Sequence, residues 1–285
     1  MPDFLVSHQR VLADELSRHV PSEHEAPEGV HRAMRYTLLA PSKRVRGVLA
    51  FLSAELCGHV DRALPAAVAV ELVHAASLIL DDLPCMDDAP LRRGRPSNHV
   101  AFGEATALLA AFALLSRAFG VVADGYPPAV ATRITKLLAD TVGSTGLIAG
   151  QADDLEATGP LSFERLERIH RLKTGVLFNA AAVAGALGAG GSPDELTQLS
   201  AYAKNLGLAF QIIDDMLDVT GDPAVTGKAA RQDAKKTTFV AFSGLDGARA
   251  LAQELCDTAD QALAPFGPRA ERLRKLSAFV AGRRH

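Results

Sequence analysis

The chain has 285 residues, 48% of them hydrophobic, and a formal net charge of −3. That is enough apolar material for one large domain over residues 1–285, and no Pro/Ser-rich or low-complexity stretch divides it. The charge leaves no basic stripe for nucleic acid, and the three cysteines (Cys57, Cys85, Cys256) form no CxxC pair, which argues against a zinc site or a disulfide framework and for a reducing, cytoplasmic setting.

In chain order, the start at Met1-Pro2-Asp3-Phe4-Leu5 lacks the basic region and apolar core of a signal peptide. A break at Pro21–Gly29 precedes Pro41-Ser42 and the basic run Lys43-Arg44-Val45-Arg46. Apolar residues from Val68 to Leu80 predict a long helix that is apolar nearly all round, as in the centre of a bundle. His74 lies on it, about two turns before Asp81 and on nearly the same face; alone, such a histidine reads as a hydrogen-bonded core residue. The acidic stretch Asp81-Asp82-Leu83-Pro84-Cys85-Met86-Asp87-Asp88 follows, and Pro84 predicts that Leu83–Met86 bulges or ends the helix and returns Asp87 toward Asp81. Arg92-Arg93-Gly94 comes next. These arginines would balance the aspartates on a surface loop, or recognise phosphate bidentately in two directions.

Ala105–Val122 reads as a second buried helix. The most apolar segments, Ala105–Ser116 and Val176–Gly190, are too short or too rich in Ala and Gly to predict an integral membrane segment. Lys173-Thr174-Gly175 adds another basic position. At Gly191-Ser192-Pro193-Asp194-Glu195 the spacing predicts a helix start, with Ser192 as N-cap and Glu195 completing a capping box. Leu206–Val219 predicts a further helix carrying Gln211 and the second cluster, Asp214, Asp215 and Asp218. Asp214 and Asp218, four apart, share a face with Cβ atoms about 5–6 Å apart. An isolated DDxxD is more often a solvated acidic face, but this one emerges from an apolar run, which points it into a cavity. Carboxylates crowded beside a core call for cations, and their hard oxygens suit Mg²⁺, which takes a few carboxylates plus substrate phosphates. Lys228 and Lys235-Lys236 supply the last basic positions. Alternating β-branched runs are few, so the expected class is all-α, with roughly ten to twelve helices.

Taken together, Pro41–Arg46, Glu71–Asp82, Asp87–Gly94, Gly150-Gln151, Lys173–Gly175 and Phe210–Asp215 resemble the isoprenyl (polyprenyl) diphosphate synthases, and most of all bacterial geranylgeranyl diphosphate synthases. The resemblance implies a single bundle of mostly antiparallel helices around a deep cavity, usually in a homodimer. It implies a Mg²⁺-dependent trans-prenyltransferase that condenses an allylic prenyl diphosphate with isopentenyl diphosphate, with three ions when substrate is bound. Asp81, Asp87 and Asp214 would hold the metal, with Asp82, Asp215 and Asp218 supporting directly or through water. Arg92, Lys173, Lys228 and Lys236 would contact the allylic diphosphate, and Thr174 and Gln211 would line the cavity near the nascent cation. Lys43, Arg46, His74 and Arg93 would hold the diphosphate of isopentenyl diphosphate without metal.

In such enzymes a Tyr or Phe about one turn before the first aspartates stops elongation at fifteen carbons. Here Ala76 and Ser77 stand there, so the tail gains about one turn, or 5.4 Å, and a twenty-carbon product is expected. If these are merely small packing residues, Phe112, Phe119 or Phe102 would supply the floor instead. The chain departs from the common pattern at Leu80, Gly47 and Ala111-Phe112, and is about two residues short around Lys235-Lys236; no metal ligand is lost. A farnesyl diphosphate synthase differs only in product length. A terpene cyclase would not need Lys43, Arg46, His74 and Arg93, having no second diphosphate, and a non-catalytic partner subunit would usually lack one aspartate cluster.

Overall fold

A computed structural model describes residues 2–157, 159, 161–220 and 238–283. Lys228, Lys235 and Lys236 lie outside the described residues. Helices α1 (Asp3–Arg18), α2 (Glu28–Leu38) and α3 (Val45–Leu56) lead to α4 (Leu64–Asp81). A short α5 (Asn98–Phe102) precedes α6 (Glu104–Gly125), α7 (Pro128–Val142), α8 (Leu147–Leu155) and α9 (Phe163–His170). One π-turn, Arg171–Gly175, joins α9 to α10 (Val176–Gly188). Then come α11 (Pro193–Thr220), α12 (Phe239–Ala262) and α13 (Glu271–Ala281).

The all-α expectation holds, and the centre of the bundle is where periodicity placed it. Helix α4 packs on α3, α6 and α10, with Ala66–Val73, Ala75, Ala76 and Ile79 buried on successive faces. Helix α11 packs against α10 and α12. Its start is the predicted capping box: the Ser192 hydroxyl accepts from the Glu195 N–H at 3.3 Å, and a Glu195 carboxylate oxygen accepts from the Ser192 N–H at 3.0 Å. At the far end of the chain, the Tyr202 hydroxyl donates to the Leu273 carbonyl at 2.8 Å, tying α13 to α11.

Two expectations change. A two-stranded hairpin interrupts the helices, Leu91–Arg92 pairing antiparallel with Arg95–Pro96. Its central residues, Arg93 (φ 55°) and Gly94 (φ 74°), are both left-handed, as a type I′ turn requires. Helix α6 runs to Gly125, close to the expected Val122, and both it and α4 are long and apolar enough, by length and composition, to cross a membrane. Here α4 is the core helix, and α6 buries Ala107, Ala110, Ala111 and Leu114 while exposing Leu108, Leu109 and Phe112. Phe112, 58% exposed, faces away from the buried side of α6 and is no floor for a cavity within this chain. Phe102 stands edge-on to Tyr36, ring centres 5.2 Å apart.

Candidate functional site

The first carboxylate bank forms where α4 stops. With Pro84 barring another turn, the Asp87 N–H donates to the Asp81 carbonyl at 2.9 Å and the Asp88 N–H to the Leu83 carbonyl at 3.1 Å. Asp88 takes a left-handed φ of 46° to close this return. Burial pushes the Asp81 carboxyl up to about 6; Lys173 opposes the shift and Asp87 adds to it. Asp82 is different: its two carboxylate oxygens accept from Arg92 Nε at 3.0 and 3.1 Å, and Arg92 Nη2 adds a second prong. Its carboxylate is engaged in aiming Arg92 from the hairpin.

The second bank lies on α11. Asp214 and Asp218 follow the helical spacing expected of them, whereas Asp215 turns inward and is 7% exposed. One Asp215 oxygen accepts from Gln211 Nε2 at 3.0 Å and the other from the Phe239 N–H at 3.2 Å, which fixes the start of α12. In this structure Asp82 engages Arg92, and Asp215 engages Gln211 and the Phe239 N–H, contacts that the motifs do not reveal.

Neighbouring residues of the π-turn tie the two banks together. Lys173 Nζ is 2.7 Å from Asp154 Oδ2 and 4.0 Å from Asp87 Oδ2. The Thr174 hydroxyl donates to Gln211 Oε1 at 2.8 Å. A π-turn rotates successive side chains away from α-helical spacing, which lets Lys173 face one bank and Thr174 the other. Gly150 makes this approach possible, since a Cβ there would lie 2.4 Å from the Lys173 backbone nitrogen.

Beside the banks is a cationic pocket. Arg46 Nη1 is 3.5 Å from His74 Nε2, and the Arg46 guanidinium lies 4.6 Å from the centre of the Phe178 ring. Burial, helped by neighbouring guanidinium charge, lowers Arg46 to about 10 and drives His74 well below its ordinary range, leaving the imidazole neutral. Lys43 is lowered by burial and then by Arg283, and Arg93 by burial and then by Arg44. The buried Arg46 Nε has no hydrogen-bond partner. Cations crowded together over apolar rings make a site that an anion would relieve.

Sequence reading missed three contributors. Arg283 Nη1 meets Asp214 Oδ1 at 2.7 Å, with its guanidinium 4.1 Å from the centre of the Phe210 ring; nothing in the local pattern marks it. Asp154, the partner of Lys173, had a weak signal in the acidic pair after Gly150-Gln151. Glu71 had a stronger one, as a charged residue inside an otherwise apolar helix.

Among the described residues, no three His, Cys, Asp or Glu side chains converge to hold a metal ion by themselves. That donor set, hard carboxylate oxygens, fits Mg²⁺ completed by substrate phosphate oxygens. A testable consequence concerns pH. Asp81 binds its proton more tightly in the folded chain than in the unfolded one, so its contribution to the stability of the metal-free protein falls as pH rises through about 6. Mg²⁺ requires the ionised form. Millimolar Mg²⁺ is therefore expected to raise Tm more at about pH 7.5 than at about pH 5, and Asp81→Asn should remove that difference in a thermal-shift titration. Equal increments at both pH values in the wild type would rule Asp81 out as a ligand.

A family profile described as polyprenyl synthetase matches residues 27–262. The chain is 44% identical over 272 residues to the large subunit 1 of a chloroplastic heterodimeric geranylgeranyl pyrophosphate synthase of Arabidopsis thaliana, covering 91% of this chain and 73% of that protein. Among solved structures, an FPP/GFPP synthase of Zymomonas mobilis in its apo form superposes with a TM-score of 0.87 at 33% identity, covering 98% of this chain and 97% of that one. A geranyltransferase of Helicobacter pylori, complexed with magnesium and isoprenyl diphosphate, gives a TM-score of 0.85 at 29% identity over 97% and 95% of the two chains.

Proposed function

The chain belongs to the polyprenyl synthetase family, and from that membership we propose a trans-prenyltransferase that condenses an allylic diphosphate with isopentenyl diphosphate to form geranylgeranyl diphosphate. The observation that carries this reading is the pairing of two carboxylate banks with a separate cationic pocket. One suits a diphosphate held through metal and the other a diphosphate held without it. A cyclase has one diphosphate to bind and no use for the second set.

Asp81, Asp87, Asp214 and Asp218 are the residues that would hold Mg²⁺, three ions with substrate bound. Bound Mg²⁺ supplies positive charge to the diphosphate oxygens. Arg92, aimed by Asp82, and Lys173, held between Asp154 and Asp87, bind the diphosphate that leaves; Lys228 and Lys236 join them in this reading. The Thr174 hydroxyl donates its hydrogen bond to Gln211 Oε1, which turns its oxygen lone pairs toward the allylic cation. Lys43, Arg46, His74 and Arg93 hold isopentenyl diphosphate, whose double bond attacks that cation. Loss of a proton to the departed diphosphate then restores an alkene. Phe178 and Phe210 pack their rings against the guanidinium groups of Arg46 and Arg283.

Residues 1–285 work as one catalytic domain in this reading. The outward Leu108, Leu109 and Phe112 of α6 support a homodimer in which a second copy covers them. The free cysteines support a reducing cytoplasm. The likeness to bacterial geranylgeranyl synthases rests on the motifs alone, since the Arabidopsis relative is a plastid enzyme.

Mass spectrometry after incubation with isopentenyl diphosphate, each allylic starter and Mg²⁺ tests the reading, with EDTA as control. A metal-dependent C20 diphosphate is expected. A C15 end product would keep the reaction and make the chain a farnesyl diphosphate synthase, and no condensation with any starter would overturn the reading.

A further inference from the structure

The start of α3, with Lys43 just before it and Arg46 in its first turn, is held from behind by a buried carboxylate. Arg44, between them, caps α3 in a left-handed conformation (φ 49°) with only 8% of its surface exposed. A β-unbranched but long side chain in that region carries a strain of about 1–3 kcal/mol, so something must impose it. Arg44 Nη1 lies 3.2 Å from Glu71 Oε2, while Nη2 reaches the Leu38 carbonyl and, at 3.1 Å, the Ala40 carbonyl. The other Glu71 oxygen accepts from the Gly47 N–H at 2.9 Å. Glu71 therefore grips both ends of the 44–47 turn at once, and it is 1% exposed itself. It sits on α4 one turn before His74 and, further along, Asp81, so the grip registers the turn against the helix that carries both halves of the site.

We propose that Glu71 is the positioning residue of the isopentenyl diphosphate pocket: by locking Arg44 and the Gly47 N–H, it makes Lys43 and Arg46 face one anion together with His74. This deepens the functional reading above and rests on it. Arg44, though part of a basic run, is then a structural member of that run and not a ligand. The alternative role for Glu71 is purely electrostatic, a negative charge offsetting Arg44, Arg46 and Arg93. The two roles predict opposite signs. If charge were all, removing it would strengthen anion binding; if position matters, removing it weakens binding.

Glu71→Gln separates them in the full-length chain. A glutamine keeps the shape but can accept from only one of Arg44 and Gly47, and its amide N–H₂ then opposes the other donor. Steady-state kinetics should show KM for isopentenyl diphosphate raised about ten- to a hundredfold, with kcat and the allylic KM within about twofold of wild type. Arg44→Lys keeps the charge and loses the fork that spans two carbonyls, so it should move the same constant in the same direction. It also decides the matter if Glu71→Gln does not fold. An unchanged or lowered KM for isopentenyl diphosphate overturns the positioning role, as does an equal loss across all three constants with a lowered Tm. A wild-type chain that condenses nothing overturns the functional reading first, and that outcome is visible before any variant is made.

Discussion

Asp81→Ala should reduce condensation by at least about a thousandfold, to background in a product assay, because it removes a charge that acts where negative charge develops on the leaving diphosphate. The size follows from its place. Asp81 ends α4, and its backbone carbonyl receives the Asp87 N–H, so the two carboxylates are held together by main chain and not by flexible side chains. Its carboxyl is also pushed up to about 6 by burial, the cost of keeping a carboxylate there without a cation. Alanine removes that cost, so the variant should fold and melt no lower than the wild type in the absence of metal. Loss of turnover with retained Tm is the expected pair of results. A variant that keeps near-normal turnover would sink the metal role of this bank, and the reading of Asp87 and Asp214 with it.

Asp82→Asn makes the contrast that separates ligand from positioner. Its carboxylate already accepts from both Nε and Nη2 of Arg92, so its loss acts by releasing a guanidinium. The adjacent aspartates look interchangeable in the sequence, and only burial and partners distinguish them. What could be read there was local: the all-apolar α4, the break at Pro84 and the Ser192–Glu195 capping box each follow from side-chain spacing within a few residues. What could not be read was long-range. Arg44 looks like a solvated member of a basic run, but its partner Glu71 stands 27 residues on. Arg283 reaches Asp214 from far along the chain, and Asp215 holds Phe239 across 24 residues. Periodicity encodes which face of an element is buried, and it carries no record of which elements meet.

Among the described residues, three non-glycine residues have positive φ, Arg44, Asp88 and Arg93, and they make the same point from the backbone side. None has the small side chain that normally signals a left-handed turn, apart from the aspartate. Each lies in a segment that delivers charged groups to the site: the 44–47 turn, the return of Asp87 toward Asp81, and the tip of the hairpin. Strain of this kind survives only where the surroundings over-determine it, and here buried Glu71, the α4 carbonyls and the Asp82–Arg92 pair do so.

Product length gives the second large effect. Ala76→Tyr should shift the end product from C20 to C15, read by mass spectrometry of the extracted diphosphates. Ser77 shares a face of α4 with His74 and Asp81, and its hydroxyl donates back to the His74 carbonyl at 2.9 Å. Ala76 lies about 100° further round the helix and is 2% exposed. A phenol at position 76 either projects into the space the tail would occupy or is forced into packed neighbours at a cost of about 1–3 kcal/mol. Those fates differ in measurement: the first shortens the product with Tm retained, and the second lowers Tm and leaves the remaining product C20. Ser77→Phe is the companion, because position 77 is half-buried and can take an aromatic ring with less disturbance of the core. C15 from both variants would place the tunnel wall along this stretch of α4. C20 from both would move the floor elsewhere, and Phe112 could then supply it only from a second copy of the chain, since its ring points outward from its own.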